Sequence, residues 1–231
     1  MKTIGLIGGM SWESSGEYYR LINTFVKERL GGFHSAQCVM LSVDFAGYEV
    51  LLREGRWDEL ARLLTAAAQN VERAGANVIV LCTNTMHKVA AEIQANVHVP
   101  FLHIVDPTAE CIKADGLTTV GLLGTRFTME EDFYVGRLRQ RYGLQALIPE
   151  AAEREMINRV IFDELCLGEV KATSKAQYLA VIERLAAQGA QGIILGCTEI
   201  GMLISPEDGG VPLFDTTRLH AQAAVDFALN V

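Results

Sequence analysis

The chain has no CxxC pair, no cluster of lysines and arginines, and no apolar run of transmembrane length. Each absence removes a class of function. Five cysteines (Cys38, Cys82, Cys111, Cys166 and Cys197) are odd in number and unpaired in spacing. That argues against a disulfide framework and for a reducing compartment. A net charge of −8, with a pI near 5.2 and no basic patch, excludes a nucleic-acid surface. The apolar part of "MKTIGLIGGMSWESS" is too short for a signal peptide, so a soluble, cytoplasmic chain with no membrane partner is expected. His34, His98, His103 and His220 lack metal-ligand spacing, so no metal site is expected. "GLIGGM" is not a GxGxxG fingerprint: its glycines stand too close, and no acidic residue follows at the required distance after a second strand.

What remains is an ordinary globular composition, 50% hydrophobic and 21% charged over 231 residues, enough to bury a large core. Strands and helices alternate along it. "TIGLIG" reads as a buried strand, and Ser14 with Glu17 as a capping box for a helix ending near Gly31 and Gly32. "QCVMLSV" reads as a strand. Leu60, Leu63, Leu64, Ala67, Val71 and Ala74 fall at helical spacing from Trp57 to Ala74, and Gly75 closes that helix. "NVIVL" is a strand, followed by a helix through Val89 and Ile93 and then the strand "VPFLHIV". The second half repeats the rhythm: "TTVGLLG", a helix opened by Thr128 and Glu131, "LQALI", helices through Met156–Leu165 and Ser174–Gln188, "QGIILG", "VPLF" and a closing helix to Val231. This alternation predicts an α/β protein with parallel sheets covered by helices.

The repeat extends to residues. "IGLIGG" (4–9) matches "VGLLGT" (120–125), so Gly5 and Gly8 fall on Gly121 and Gly124. "AGANVIVLCTNT" (74–85) matches "QGAQGIILGCTE" (188–199), and "VPFL" (99–102) matches "VPLF" (211–214). Three matches in one order at nearly one offset predict two pseudo-symmetric Rossmann-like lobes. The first spans residues 1–106 and is rejoined by a helix over 215–231; the second spans 107–214. Ligands of open α/β sheets sit beyond the carboxyl ends of strands, so the active site is expected in a cleft between the lobes. Aligned on Gly75 and Gly189, Cys82 falls on Gly196, Thr83 on Cys197, Asn84 on Thr198 and Thr85 on Glu199. Thr83 and Cys197 are then the facing pair, and Cys82, one residue back, points into the core as a small hydrophobe. Cys38, Cys111 and Cys166 receive the same reading.

Two groups on opposite sides of a carbon suit proton removal from one face and delivery to the other. A thiol with its ordinary pKa near 8.5 leaves some thiolate at neutral pH. Strand-end amides and helix N-termini, with the hydroxyls of Thr85, Thr125, Thr128 and Thr198, can hold a carboxylate. Glu199 either orients Cys197 or an ammonium group or simply starts a helix.

"IGLIGGMS", "CTNTMH" and "GCTEIG" together resemble the aspartate/glutamate racemase family over essentially the whole chain, close to its bacterial broad-specificity members. The resemblance implies an amino-acid racemase working without pyridoxal phosphate or metal, active as a homodimer on a small amino acid and yielding a D-amino acid. It implies Cys197 as the group acting on the L-face. Where the family carries its first cysteine this chain has Thr83, a far weaker acid, which as a proton donor would need a relay through His87 or a water. Met10, Ser11, Arg53, Asn84, Thr85, Thr125, Thr128, Thr198 and Glu199 are implied as substrate-binding residues. Tyr48 and Cys166 stand where acid-specific members carry cations, so the substrates are acidic or broader polar and neutral amino acids such as homoserine. Two other readings stay open: a single-cysteine decarboxylase or cis–trans isomerase of a related dicarboxylic acid, and a two-lobed binding protein without turnover.

Overall fold

A computed structural model describes residues 1–208 and 210–230. The chain divides into two compact units, one of residues up to Ile104 together with those from His220 onward, the other Val105–Leu219. The elements run β1 (Ile4–Gly8), α1 (Trp12–Leu30), β2 (Cys38–Ser42), α2 (Phe45–Arg53), α3 (Trp57–Arg73), β3 (Val78–Leu81), α4 (Ala90–Ala95) and β4 (Phe101–Leu102). They continue as α5 (Val105–Ala114), β5 (Thr119–Gly124), α6 (Arg126–Glu130), α7 (Asp132–Tyr142), β6 (Gln145–Leu147), α8 (Ala151–Asp163), α9 (Ala172–Ala187), β7 (Ile193–Gly196), α10 (Ile200–Leu203), β8 (Leu213–Asp215) and α11 (Thr216–Leu229). The expected end of the last helix at Val231 lies outside the described residues.

Each unit holds one four-stranded, all-parallel sheet, in the orders β2-β1-β3-β4 and β6-β5-β7-β8. These are one order written twice, which is the α/β architecture of two Rossmann-like lobes. In the first unit, alternation along the strands sorts side chains by face. Ile4, Leu6, Val78, Val80 and Cys82 form one buried cluster with Tyr18, Ile22 and Val26 of α1 and Ala224 and Val225 of α11. The other face receives α3, whose Leu60, Leu64, Ala67, Ala68 and Val71 are buried. In the second unit Gly121 leaves room for Ile193 and Leu185, the latter from α9. Gly75 and Gly189, paired by the repeat, both close their helices with positive φ, 97° and 105°.

Several local expectations are corrected. α1 is capped by Ser11, three residues earlier than the Ser14–Glu17 box, because the Gly8–Gly9 turn already places Ser11 in extended backbone with its side chain accepting from the Ser14 amide. Thr125 does the same for α6, accepting from the Thr128 amide. Thr128 lies inside α6, and Glu131, in extended backbone, ends it and precedes α7, so the two do not open one helix. α2 and α5 were not anticipated. "VPFLHIV" supplies only two ladder residues before α5 begins. No described helix is long and apolar enough to cross a membrane.

Candidate active site

The first unit ends β1 and β3 side by side, with Ile7 opposite Leu81. Gly9 turns the chain out of β1 at φ 95°, and a Cβ there would lie 2.2 Å from the Val43 carbonyl, so no other residue fits. Its amide donates to Ser15 Oγ at 2.8 Å, and Ser15 Oγ donates to the Ser11 carbonyl at 2.8 Å. Met10 and Ser11 are thereby buried at the strand end, with Ser11 Oγ engaged as the helix cap.

After Leu81 the Cys82 amide donates to Ile7 O at 2.9 Å, and the Thr83 amide folds back on Leu81 O at 2.9 Å. Cys82 is fully buried, its thiol directed at the Val80 carbonyl and pushed far up by burial, so it is inert core. Thr83, Asn84 and Thr85 follow, each nearly buried, and a 3-10 turn over Thr85–Val89 carries His87. The Ile104 amide donates to His87 Nε2 at 3.1 Å, which leaves the ring proton on Nδ1, where it is donated to the Thr83 carbonyl at 2.7 Å. Both ring nitrogens therefore serve backbone groups. Arg53 stands exposed in the last turn of α2 with its guanidinium forked onto Glu49, Nε to Oε1 at 2.9 Å.

The second unit ends β7 at Gly196 beside Gly124 of β5. Neither glycine has room for a Cβ: at Gly124 it would lie 2.8 Å from the Gly196 carbonyl and at Gly196 2.8 Å from the Leu123 carbonyl, with the Thr128 side chain next at 3.1 and 3.3 Å. Thr128 is thus fully buried packing, its hydroxyl 3.2 Å from that of Thr125. Cys197, Thr198 and Glu199 are nearly buried. The Cys197 thiol donates to Glu199 Oε2 at 2.8 Å, and Thr198 Oγ1 donates to the same oxygen at 2.9 Å. Burial, the Glu199 charge and then Cys166 push the Cys197 thiol well above its ordinary value. Burial and Glu199 thus work against the thiolate expected at neutral pH, and the thiol faces Glu199 as a hydrogen-bond donor. Cys38, Cys111 and Cys166 are half-buried, with Cys38 packed against the core cluster of the first unit.

Two neighbours of this strand end escaped sequence reasoning. Thr216, fully buried, donates to the Leu195 carbonyl at 2.8 Å. Tyr178 donates to the Ile157 carbonyl at 3.0 Å, and burial, then Cys197, push its hydroxyl up. Neither sits in a motif. Among the described residues, no group of three or more His, Cys, Asp or Glu side chains could hold a metal ion.

Residues 7–224 match the Asp/Glu/Hydantoin racemase family, and the chain belongs to that family, whose members are isomerases. Among solved structures it resembles a Yersinia pestis protein provisionally named as an Asp/Glu racemase, at 54% identity and TM-score 0.92, covering 99% of this chain and 100% of that one. An aspartate racemase homologue from Pyrococcus horikoshii is 34% identical with TM-score 0.85, again over 99% and 100%. The broad-specificity amino-acid racemase RacX of Bacillus subtilis is 27% identical over 168 residues, 73% of this chain and 72% of that protein.

Proposed function

We propose that the protein is a cofactor-independent amino-acid racemase in which Cys197, with Glu199 as its proton acceptor, acts on the L-face of Cα and Thr83 acts on the opposite face. The observation that carries this is the 2.8 Å bond from the Cys197 thiol to Glu199. A buried thiol held protonated is a poor base by itself. A carboxylate within hydrogen-bond reach supplies the missing step of general base catalysis. The thiol proton passes to Glu199, the thiolate takes the α-proton, and the Thr83 hydroxyl delivers a proton from behind. The cycle closes when the Glu199 carboxyl releases its proton and Thr83 regains one from water. Because the equilibrium between enantiomers is one, a slow D-to-L direction must be balanced by tighter binding of the D-enantiomer.

The substrate class is proposed to be broad, reaching polar and neutral amino acids such as homoserine. Arg53 is occupied by Glu49 at the surface, Tyr48 and Cys166 are uncharged, and the Bacillus subtilis relative carries a broad-specificity name. The test is proton NMR in D₂O over a panel including L-aspartate, L-glutamate and L-homoserine, for wild type and Cys197→Ala. Wild type is expected to exchange and invert the α-position, and Cys197→Ala to do neither with L-substrate. Exchange confined to the two acidic substrates overturns the broad class, and CO₂ release from a malonate without any α-exchange overturns the racemase reading.

A further inference from the structure

Thr83 lies beyond the last ladder pair of β3, so no neighbouring strand holds its carbonyl. Its amide is turned back onto Leu81. Threonine is branched at Cβ and stiff at χ1, so the direction of its hydroxyl follows the direction of its backbone. Whatever fixes the Thr83 peptide therefore aims its hydroxyl.

We propose that His87 is the positioning residue for Thr83, gripping the Thr83 carbonyl through Nδ1–H while its Nε2 is anchored by the Ile104 amide. The proposal rests on the reading of Thr83 as the group acting behind Cα. It replaces the proton relay expected for His87, since a ring with both nitrogens bonded to backbone has none left to pass a proton along. The ring is itself immobilised. It packs edge-on to Phe101 at 5.4 Å, to His103 at 4.6 Å and to His220 at 5.9 Å between centroids. His220 is fixed in turn, with Nε2 donating to the Leu102 carbonyl at 2.9 Å and Nδ1 accepting from the Tyr18 hydroxyl at 2.9 Å. Burial, then His103 and His220, hold the His87 ring neutral. Neutrality is what the grip requires, because a protonated Nε2 cannot accept from Ile104.

The experiment measures a partition in D₂O with L-substrate. Each carbanion formed by Cys197 is either deuterated on the face it left, giving labelled L-product, or deuterated from behind, giving D-product. Loss of aim at Thr83 raises the ratio of exchange with retention to inversion, whereas a general loss of structure lowers both together. His87→Gln places its amide at the Nε2 position and keeps the Ile104 bond but not the Thr83 bond. His87→Asn places its amide at Nδ1 and keeps the Thr83 bond. Expected is a rise of about tenfold in the ratio for His87→Gln, less than the roughly 10²-fold that a 1 Å misplacement of a reacting group can cost, with His87→Asn near wild type. Thr83→Ser, which frees χ1, should raise the ratio by a smaller factor and keeps the test available should His87→Gln fail to fold. An unchanged ratio in His87→Gln or in Thr83→Ser, or an equal rise in His87→Asn, overturns the proposal. Thr83→Ala separates it from the reading beneath: if that variant leaves the ratio unchanged, Thr83 is not the proton donor at all. If it raises the ratio while His87→Gln does not, only the positioning role falls.

Discussion

The two units carry the same sheet in the same order, and at the end of the equivalent strand each does something different. In the first, the thiol of Cys82 is sunk among Tyr18, Leu6 and Val80, and the next residue, Thr83, is held by its backbone. In the second, glycine takes the Cys82 position, and the thiol moves one residue outward to Cys197, where it meets a carboxylate. One register step along a strand thus separates a thiol in the core from one beside a carboxylate. Polar residues emerge at the same place in both units, while the support behind them differs: an imidazole against the main chain in one, a carboxylate against the side chain in the other.

The sharpest way to break this comparison is to remove the chemistry of the second unit. Cys197→Ala should lower inversion of L-substrate by roughly 10³-fold or more, within the range for a lost acid–base group. Glu199→Gln should cost about 10²-fold in kcat/KM. Its thiol should titrate at lower pH than in wild type, because the negative neighbour that disfavours the thiolate is gone. Thiolate absorbance measured against a Cys197→Ser reference checks the second point, and a titration that moves upward would dissolve the pairing.

The next test concerns the turn out of β1. Gly9→Ala forces a Cβ onto the Val43 carbonyl at positive φ and should lower unfolding free energy by about 2–3 kcal/mol in urea. A smaller effect belongs to pH. His87 has its folded value depressed, so the unfolded chain takes up a proton that the folded one refuses once pH falls below about 6.5. Its contribution is intact above that value and lost as pH drops, so the urea midpoint should fall from pH 7.5 to 5.5, and fall less in His87→Asn. Smallest of all, Cys82→Ala should cost on the order of 1 kcal/mol of stability as a modest core truncation, with inversion retained. Loss of inversion there would mean that the units have been compared one residue out of step.

Much of this was legible in the chain. The paired glycines and most of the apolar runs are local signals that led to the elements they pointed at, and the repeat register put Cys82 in the core. α2 was not legible because it presents only Leu52 to the interior and so has no apolar stripe to read. The strand "VPFLHIV" was overread because an edge of a parallel sheet can stop after two pairs, and the Ile104 amide then goes to an imidazole instead of a neighbouring strand. The partners of His87 show why site support is harder to foresee than site residues. Its bond to Thr83 spans four positions and lies within reach of a motif, but its bond to Ile104 exists only once the sheet has formed.

The burial of Cys82 and Cys197 bears on how such a protein is probed. Iodoacetamide or a maleimide should find Cys38, Cys111 and Cys166 first, since these cysteines are only half-buried while Cys82 and Cys197 are buried. A count of modified cysteines, or inactivation by a bulky reagent, would then report access and crowding in place of reactivity. Only labelling that a bound amino acid slows, mapped to Cys197 by peptide mass, would speak for the reacting thiol.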